Sequence, residues 1–218
     1  MIITDKQGIK TSDVMIDIDD VIVPWFDTVD DECRNQWDAH DAPVCTNWHM
    51  WEHYGRTQQE WSDVVISCVQ KGLYHTIEPI PGAVEGMNLL RWYGHRIHVV
   101  TARGFMANGD NIREWTPAYL QNFGAAYDTL TFAKDKVEGM ITALGGWTPP
   151  DARPSFDYAI DDGYHNFDHL SRAGVNVFLH DAPHNLHIDV DTAFRVKSLW
   201  EFAQMIISET VPAHLIPK

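Results

Sequence analysis

Three carboxylates fall within four residues at Asp17, Asp19 and Asp20, directly after the apolar run Val14-Met15-Ile16. A second acidic pair, Asp161-Asp162, closes the run Tyr158-Ala159-Ile160. Like charges packed together destabilise a site unless something positive sits among them, so two such groups brought together call for a hard divalent cation such as Mg²⁺. Between them in the chain lie Thr101-Ala102-Arg103 and Lys134-Asp135-Lys136. A hydroxyl, backbone amides and a guanidinium at the end of a strand are the donors that an oxyanion or phosphate needs. Taken singly, each group has a plainer reading: a polar turn, a threonine ending a strand, a solvated lysine.

To act together these groups must be carried to one edge of the fold. The segments 13–18, 96–100, 128–132, 156–161 and 174–180 read as buried strands, being short apolar runs bounded by charge or turn residues. Helical patterns at 83–93, 110–122, 136–144, 166–173 and 192–208 alternate with them. Strands separated by helices imply βαβ units and a mostly parallel sheet covered on both faces. Ligands of such sheets bind at the carboxyl ends of the strands, where both acidic groups would lie. Residues 2–10, with a turn near Gly8, read as a hairpin arm or a frayed tail. Gly145-Gly146-Trp147-Thr148-Pro149-Pro150 and Arg153-Pro154 read as a long surface loop.

From Trp25 to Ile80 the composition changes. Trp25, Phe26, Trp37, Trp48, Trp51, Tyr54, Trp61 and Tyr74 accompany all three cysteines, in patterns that read as helices near 26–39 and 57–71 around an irregular middle at Pro43. Most of these rings are expected to form the core of a small helical insertion. One or two facing the acidic site would stack on a planar substrate group.

The formal charge of −15 argues against long nucleic acid, because an acidic surface repels a phosphate backbone unless a basic groove interrupts it. Small, metal-chelated anions stay compatible with it. No apolar window approaches the ~20 residues of a membrane span, and MIITDKQGIK has no signal-peptide core, so no membrane partner and a cytoplasmic location are expected. Cys33, Cys45 and Cys68 are odd in number and lack Cys-x-x-Cys spacing, which fits reduced thiols rather than a disulfide framework or zinc knuckle. His180, His184 and His187, like His49 and His53, lack the facing geometry of a helix-borne zinc site and read as solvated or edge-of-site residues. A second copy of the chain is a compatible partner.

Asp17/Asp19, Thr101, a lysine opening a later helix and Asp161/Asp162 together resemble, in order and spacing, the four motifs of the haloacid-dehalogenase-like (HAD) hydrolase superfamily. Ile80-Pro81-Gly82-Ala83, Thr101-Ala102-Arg103, Lys134-Asp135-Lys136, Ile160-Asp161-Asp162 and Phe178-Leu179-His180-Asp181-Ala182-Pro183-His184-Asn185 look like the 5'(3')-deoxyribonucleotidase and 5'-nucleotidase branch of phage or bacterial type. The resemblance covers about 13–208. It implies an α/β fold: a Rossmann-like core over 1–24 and 80–218, with a mostly parallel sheet flanked by helices, and a small helical cap inserted over 25–79 after the first core strand. The chain departs from that pattern at Asp20, where a glycine is usual, and at His180 and His184, where an aromatic residue and a tyrosine are expected.

The resemblance further implies a Mg²⁺-dependent phosphatase acting on a nucleoside monophosphate through an aspartyl-phosphate. Asp17 would be the nucleophile and a metal ligand, and Asp19 the acid/base, giving its backbone carbonyl to the metal. Thr101 and the Ala102 amide would hold phosphoryl oxygens, with Lys136, or failing it Lys134, offsetting the transition-state charge. Asp161 and Asp162 would complete the metal shell. Arg103 would steady phosphate or close a surface ion pair, and Trp25 stands among the aromatics available to the substrate. Polynucleotide 3'-phosphatase, sugar-phosphate or other small-metabolite phosphatase, and a non-catalytic binding protein on the same scaffold are the alternatives.

Overall fold

The computed structural model describes residues 3–4, 8–105, 109–145 and 156–216. It opens with a two-stranded antiparallel arm, β1 (Ile3–Thr4) against β2 (Lys10–Thr11), so the hairpin alternative for this segment holds. Strand β3 (Asp13–Ile16) follows, and then a helical block of α1 (Trp25–Gln36), α2 (Met50–His53) and α3 (Gln58–Gln70). Thr57 and Glu60 form a capping box that starts α3, each satisfying the other's backbone N–H. The alternation then runs α4 (Ala83–Trp92), β4 (Arg96–Thr101), α5 (Gly109–Asn122), β5 (Thr129–Phe132), α6 (Lys136–Ala143), β6 (Tyr158–Asp161), α7 (Tyr164–Arg172) and β7 (Asn176–His180). It closes with β8 (Arg195–Val196) and α8 (Leu199–Thr210). The expected loop at 146–155 lies outside the described residues.

Six strands form one parallel sheet in the order β5-β4-β3-β6-β7-β8. Successive side chains on a strand point to opposite faces, and the core divides accordingly. Val14 and Ile16 face Met87 and Leu90 of α4, Phe202 and Ile206 of α8 and Tyr119 of α5. Met15 faces the other way, with Val100, Ala159, Met140 of α6 and Leu170 of α7. The helical block has a further core of its own, built on Phe26, Val29, Cys33, Val64 and Cys68 and joined by Ile112 of α5.

Two glycines allow close approach of helices. A Cβ at Gly86 would lie 2.7 Å from the Leu199 carbonyl oxygen, so α4 and α8 touch backbone to backbone. A Cβ at Gly139 would overlap Val100, so α6 lies flush on β4.

One expectation is corrected. The segment 192–208 does not form a single helix: Thr192–Phe194 is a 3₁₀ turn, β8 adds a sixth strand, and α8 begins only at Leu199. A strand of two residues, paired as Leu179↔Arg195 and His180↔Val196, is too short to leave a periodic signal.

From β3 the connections run outward through β4 and β5; from β6 they run the other way through β7 and β8. The reversal falls between β3 and β6, which is the crevice where ligands of open α/β sheets bind.

Candidate active site

Asp17 is the residue after β3, and its N–H donates to the Ile160 carbonyl of β6 at 3.1 Å, which locks the two acidic strand ends side by side. The chain then curls tightly. The N–H groups of Val21, Ile22 and Val23 all converge on the Ile18 carbonyl, and the Asp20 N–H donates to Val23 O at 2.7 Å. The turn places Asp20 at a left-handed φ of 56°, where a glycine would be unstrained. Asp17 and Asp20 are both buried, so the three carboxylates do not form a solvated acidic turn.

Lys136 enters because Asp135 caps α6, accepting the Glu138 N–H, and so sets Lys136 as the first helical residue. Its Nζ donates to Asp17 Oδ1 at 2.5 Å and to the Val100 carbonyl at 2.7 Å, and lies 3.5 Å from Asp161 Oδ2. Lys134 instead places its Nζ 5.4 Å from the centre of the Phe105 ring. Of the two lysines, only Lys136 is buried against both acidic groups.

Asp161 Oδ1 accepts from the Gly163 N–H and Asn166 Nδ2, each at 2.9 Å, whereas the buried Oδ2 has no hydrogen-bond partner. Carboxylate oxygens of Asp17, Asp161 and Asp162 lie within 4.8 Å of one another. Three buried carboxylates against one ammonium leave excess negative charge. Burial raises the Asp17 carboxyl, Lys136 pulls it back, and Asp161 and Asp19 push it up again, to about 7. Burial, then Asp161 and Asp17, hold Asp162 well above the ordinary carboxylate range. An all-oxygen donor set with an orphaned oxygen fits a hard divalent cation, which would remove the cost of ionising these groups together.

Thr101 ends β4 fully buried, its hydroxyl oxygen accepting the Arg103 N–H at 3.1 Å. Ala102 lines the cavity beside it. Arg103 is buried, not on the surface. Nε and Nη2 donate to Asp19 at 2.5 to 3.1 Å, the guanidinium carbon stands 4.4 Å from the centre of the Tyr74 ring, and Nη1 has no hydrogen-bond partner. Tyr74 is held in turn by Trp25, whose Nε1 donates to its hydroxyl at 3.1 Å.

Above these groups is a cavity of about 350 Å³. Its floor holds Asp17, Asp19, Lys136 and Asp162, and its walls are the rings of Trp25, Phe26, Trp48, Trp51, Trp61 and Tyr74. Periodicity could not select these rings, since helix phase alone does not say which face turns to a neighbouring sheet. Asn166 carried no sequence signal either; it matters because one turn of α7 sets it against Asp161. Neither His180 nor His184 is solvated: His180 is buried as the last residue of β7, and His184 lies buried at the edge of the site, where the loop after β7 brings it to Asp162. Asn185 ties that loop down, donating to the carbonyls of Asp162 and His180.

No family model and no curated protein matches the sequence. Solved structures do match. D,D-heptose 1,7-bisphosphate phosphatase from Burkholderia thailandensis is 13% identical, with a TM-score of 0.53, over 91% of this chain and 99% of that one. The HAD hydrolase YfnB from Bacillus subtilis, solved bound to magnesium, is 14% identical with a TM-score of 0.53, over 90% and 99%. The defluorinating L-2-haloacid dehalogenase Rha0230 is 11% identical with a TM-score of 0.53, over 94% and 99%. At these identities the likeness is one of architecture, and the chain has the α/β, Rossmann-like fold of the HAD hydrolases.

Proposed function

We propose that the protein is a Mg²⁺-dependent phosphatase that hydrolyses a nucleoside monophosphate, with residues 25–79 acting as a cap over a core of 1–24 and 80–218. The observation that carries this reading is Lys136 buried between Asp17 and Asp161, directly beneath a cavity walled by aromatic rings. Lys136 fixes one oxygen of Asp17 and leaves the carboxylate able to attack phosphorus, with loss of the leaving alkoxide and formation of an aspartyl-phosphate. Asp19 gives that alkoxide its proton, then takes one from the water whose attack on phosphorus frees phosphate and restores Asp17.

Asp19 accepts from Nε and Nη2 of Arg103, which orients its carboxyl group toward the floor of the cavity. To carry a proton in the first step it must loosen from that pair, and a phosphate dianion competing for Arg103 through the free Nη1 supplies the cause. The Thr101 hydroxyl and the Ala102 amide would hold phosphoryl oxygens. Mg²⁺ held by Asp17, Asp161, Asp162 and the Asp19 carbonyl would neutralise charge on those oxygens. The aromatic walls favour a planar base over a sugar alone. Sugar phosphates form the second reading, because the heptose bisphosphate phosphatase shares this architecture. The free, buried cysteines agree with a reducing, cytoplasmic setting, and no helix among the described residues is long and apolar enough to cross a membrane.

The test is phosphate release from nucleoside monophosphates, hexose phosphates and a 3'-phosphorylated oligonucleotide, with Mg²⁺ or EDTA. Asp17→Asn is expected to lose on the order of 10³-fold or more of the parent rate. Metal-independent release, or full activity in the variant, would overturn the mechanism.

A further inference from the structure

Asp20 and His184 take no part in the chemistry above, yet the fold brings both to Asp162. Ligand atoms of Asp20, Asp162 and His184 lie within 4.8 Å of one another, and each residue is more than nine-tenths buried. His184 Nε2 points at Asp162 Oδ2 from 3.0 Å, but neither ring nitrogen satisfies hydrogen-bond geometry with any neighbour. The ring cannot swing out to water: Phe26 packs on it with ring centres 4.9 Å apart, and Trp48 at 4.8 Å. Asp20 is fixed as well, its Oδ1 accepting the Phe26 N–H at 2.8 Å.

The adjacent cationic side chains are engaged elsewhere, Lys136 on Asp17 and Asp161, Arg103 on Asp19. Two buried carboxylates thus face an imidazole that offers a lone pair and is given no proton acceptor of good geometry. Two carboxylates and an imidazole form a mixed oxygen–nitrogen donor set that favours a first-row transition-metal ion over Mg²⁺, since imidazole suits Zn²⁺, Fe²⁺ or Ni²⁺ far better than Mg²⁺; Mn²⁺, which accepts both donor types, serves as a paramagnetic probe. We propose that Asp20, Asp162 and His184 form a second cation site, selective for a transition-metal ion, with Asp162 shared between it and the Asp17–Asp161–Asp162 group. A carboxylate bridging two cations is the arrangement of two-metal hydrolytic centres. The inference goes beyond the proposed function and does not depend on it, because the donor set stands whatever the substrate.

The experiment uses full-length, chelator-treated protein and Mn²⁺ as the probe, with equilibrium dialysis for stoichiometry and pulsed electron paramagnetic resonance for nitrogen coupling to the bound ion. The parent is expected to bind two equivalents and to show coupling to an imidazole nitrogen. His184→Gln should keep one equivalent and lose the coupling. Asp20→Asn, which retains the size of the side chain and the acceptor for Phe26, should do the same and serves if the histidine variant does not fold. Asp161→Asn should weaken the other equivalent and keep the coupling. A parent without nitrogen coupling, or coupling that persists in both His184→Gln and Asp20→Asn, would overturn the proposal and leave His184 a protonated counter-ion to the two carboxylates. Phosphate release plays no part in this readout, so failure here and failure of the phosphatase reading are separable.

Discussion

Arg103 shows how much a single side chain is asked to do. Its guanidinium spends Nε and Nη2 on Asp19, stacks on Tyr74 and holds Nη1 in reserve. Replacing it with methionine keeps much of the stem's volume but strips Asp19 of its only charged partner among the described residues. Loss of one preorganised donor aimed at developing charge typically costs on the order of 10²-fold in kcat. Arg103→Met is therefore expected to lower kcat by about that factor in steady-state phosphate release, while Arg103→Lys recovers only part of it, a lysine lacking the bidentate fork. Unchanged kcat in Arg103→Met would place the arginine outside the reaction. The sequence held this residue beside Thr101 but could not say that its partner would be Asp19, a contact 84 residues away that only the pairing of β3 with β4 creates.

At the scale of elements, the site depends on how closely α6 approaches β4. Lys136 is the first residue of α6, and its reach to Asp17 is set by the contact at Gly139 one turn on. Gly139→Ala drives a methyl into Val100, a fully buried neighbour with little room to move. Overpacking of this kind costs about 1–3 kcal/mol, so the denaturant midpoint should fall, and α6 should lift and carry Lys136 away from Asp17. A variant of parental stability and activity would show that the helix position is not what holds the lysine. The acidic strand ends, the βαβ alternation and the lysine opening α6 were legible in the sequence, because each leaves a local pattern: an apolar run ended by charge, or a cap followed by a helix. The two-residue β8, the burial of His180 at the end of β7 and of His184 in the loop after it, and the choice of rings in the cavity wall were not. Each is decided by packing between segments far apart in the chain, and none leaves a period to read.

For the whole molecule, acid stability reports on histidine burial. His95 is fully buried, its Nδ1 accepting the Ser12 N–H at 3.3 Å and its Nε2 paired with the Thr210 hydroxyl at 3.3 Å, so the ring is held neutral. Burial lowers its pKa from 6.5 to about 4. Below pH 6.5 the unfolded chain takes up a proton that the folded protein refuses. Stability should therefore fall between about pH 6.5 and 4, by up to about 3 kcal/mol from this residue. Asp13 acts lower on the scale. Burial raises its carboxyl, but the hydrogen bonds from His98 and Arg96 outweigh that and hold it below 3.8, so its contribution is lost only under more acid conditions. In His95→Gln the pH dependence of unfolding free energy should be shallower across the upper window, by up to about 1.4 kcal/mol per pH unit. An unchanged slope would mean that the ring titrates freely in the folded state.

In the proposed function the core and the helical block act as one enzyme, the acidic floor breaking the phosphate ester while the aromatic walls hold a base. This is tested most directly by kcat/KM of the parent protein, in Mg²⁺, for a nucleoside monophosphate against a hexose phosphate. One ring stacked on a base is worth roughly 1–3 kcal/mol, so a preference of at least about fivefold for the nucleotide is predicted, with turnover of both substrates abolished by EDTA. Equal or better turnover of the hexose phosphate, or no phosphate release from either, would contradict it.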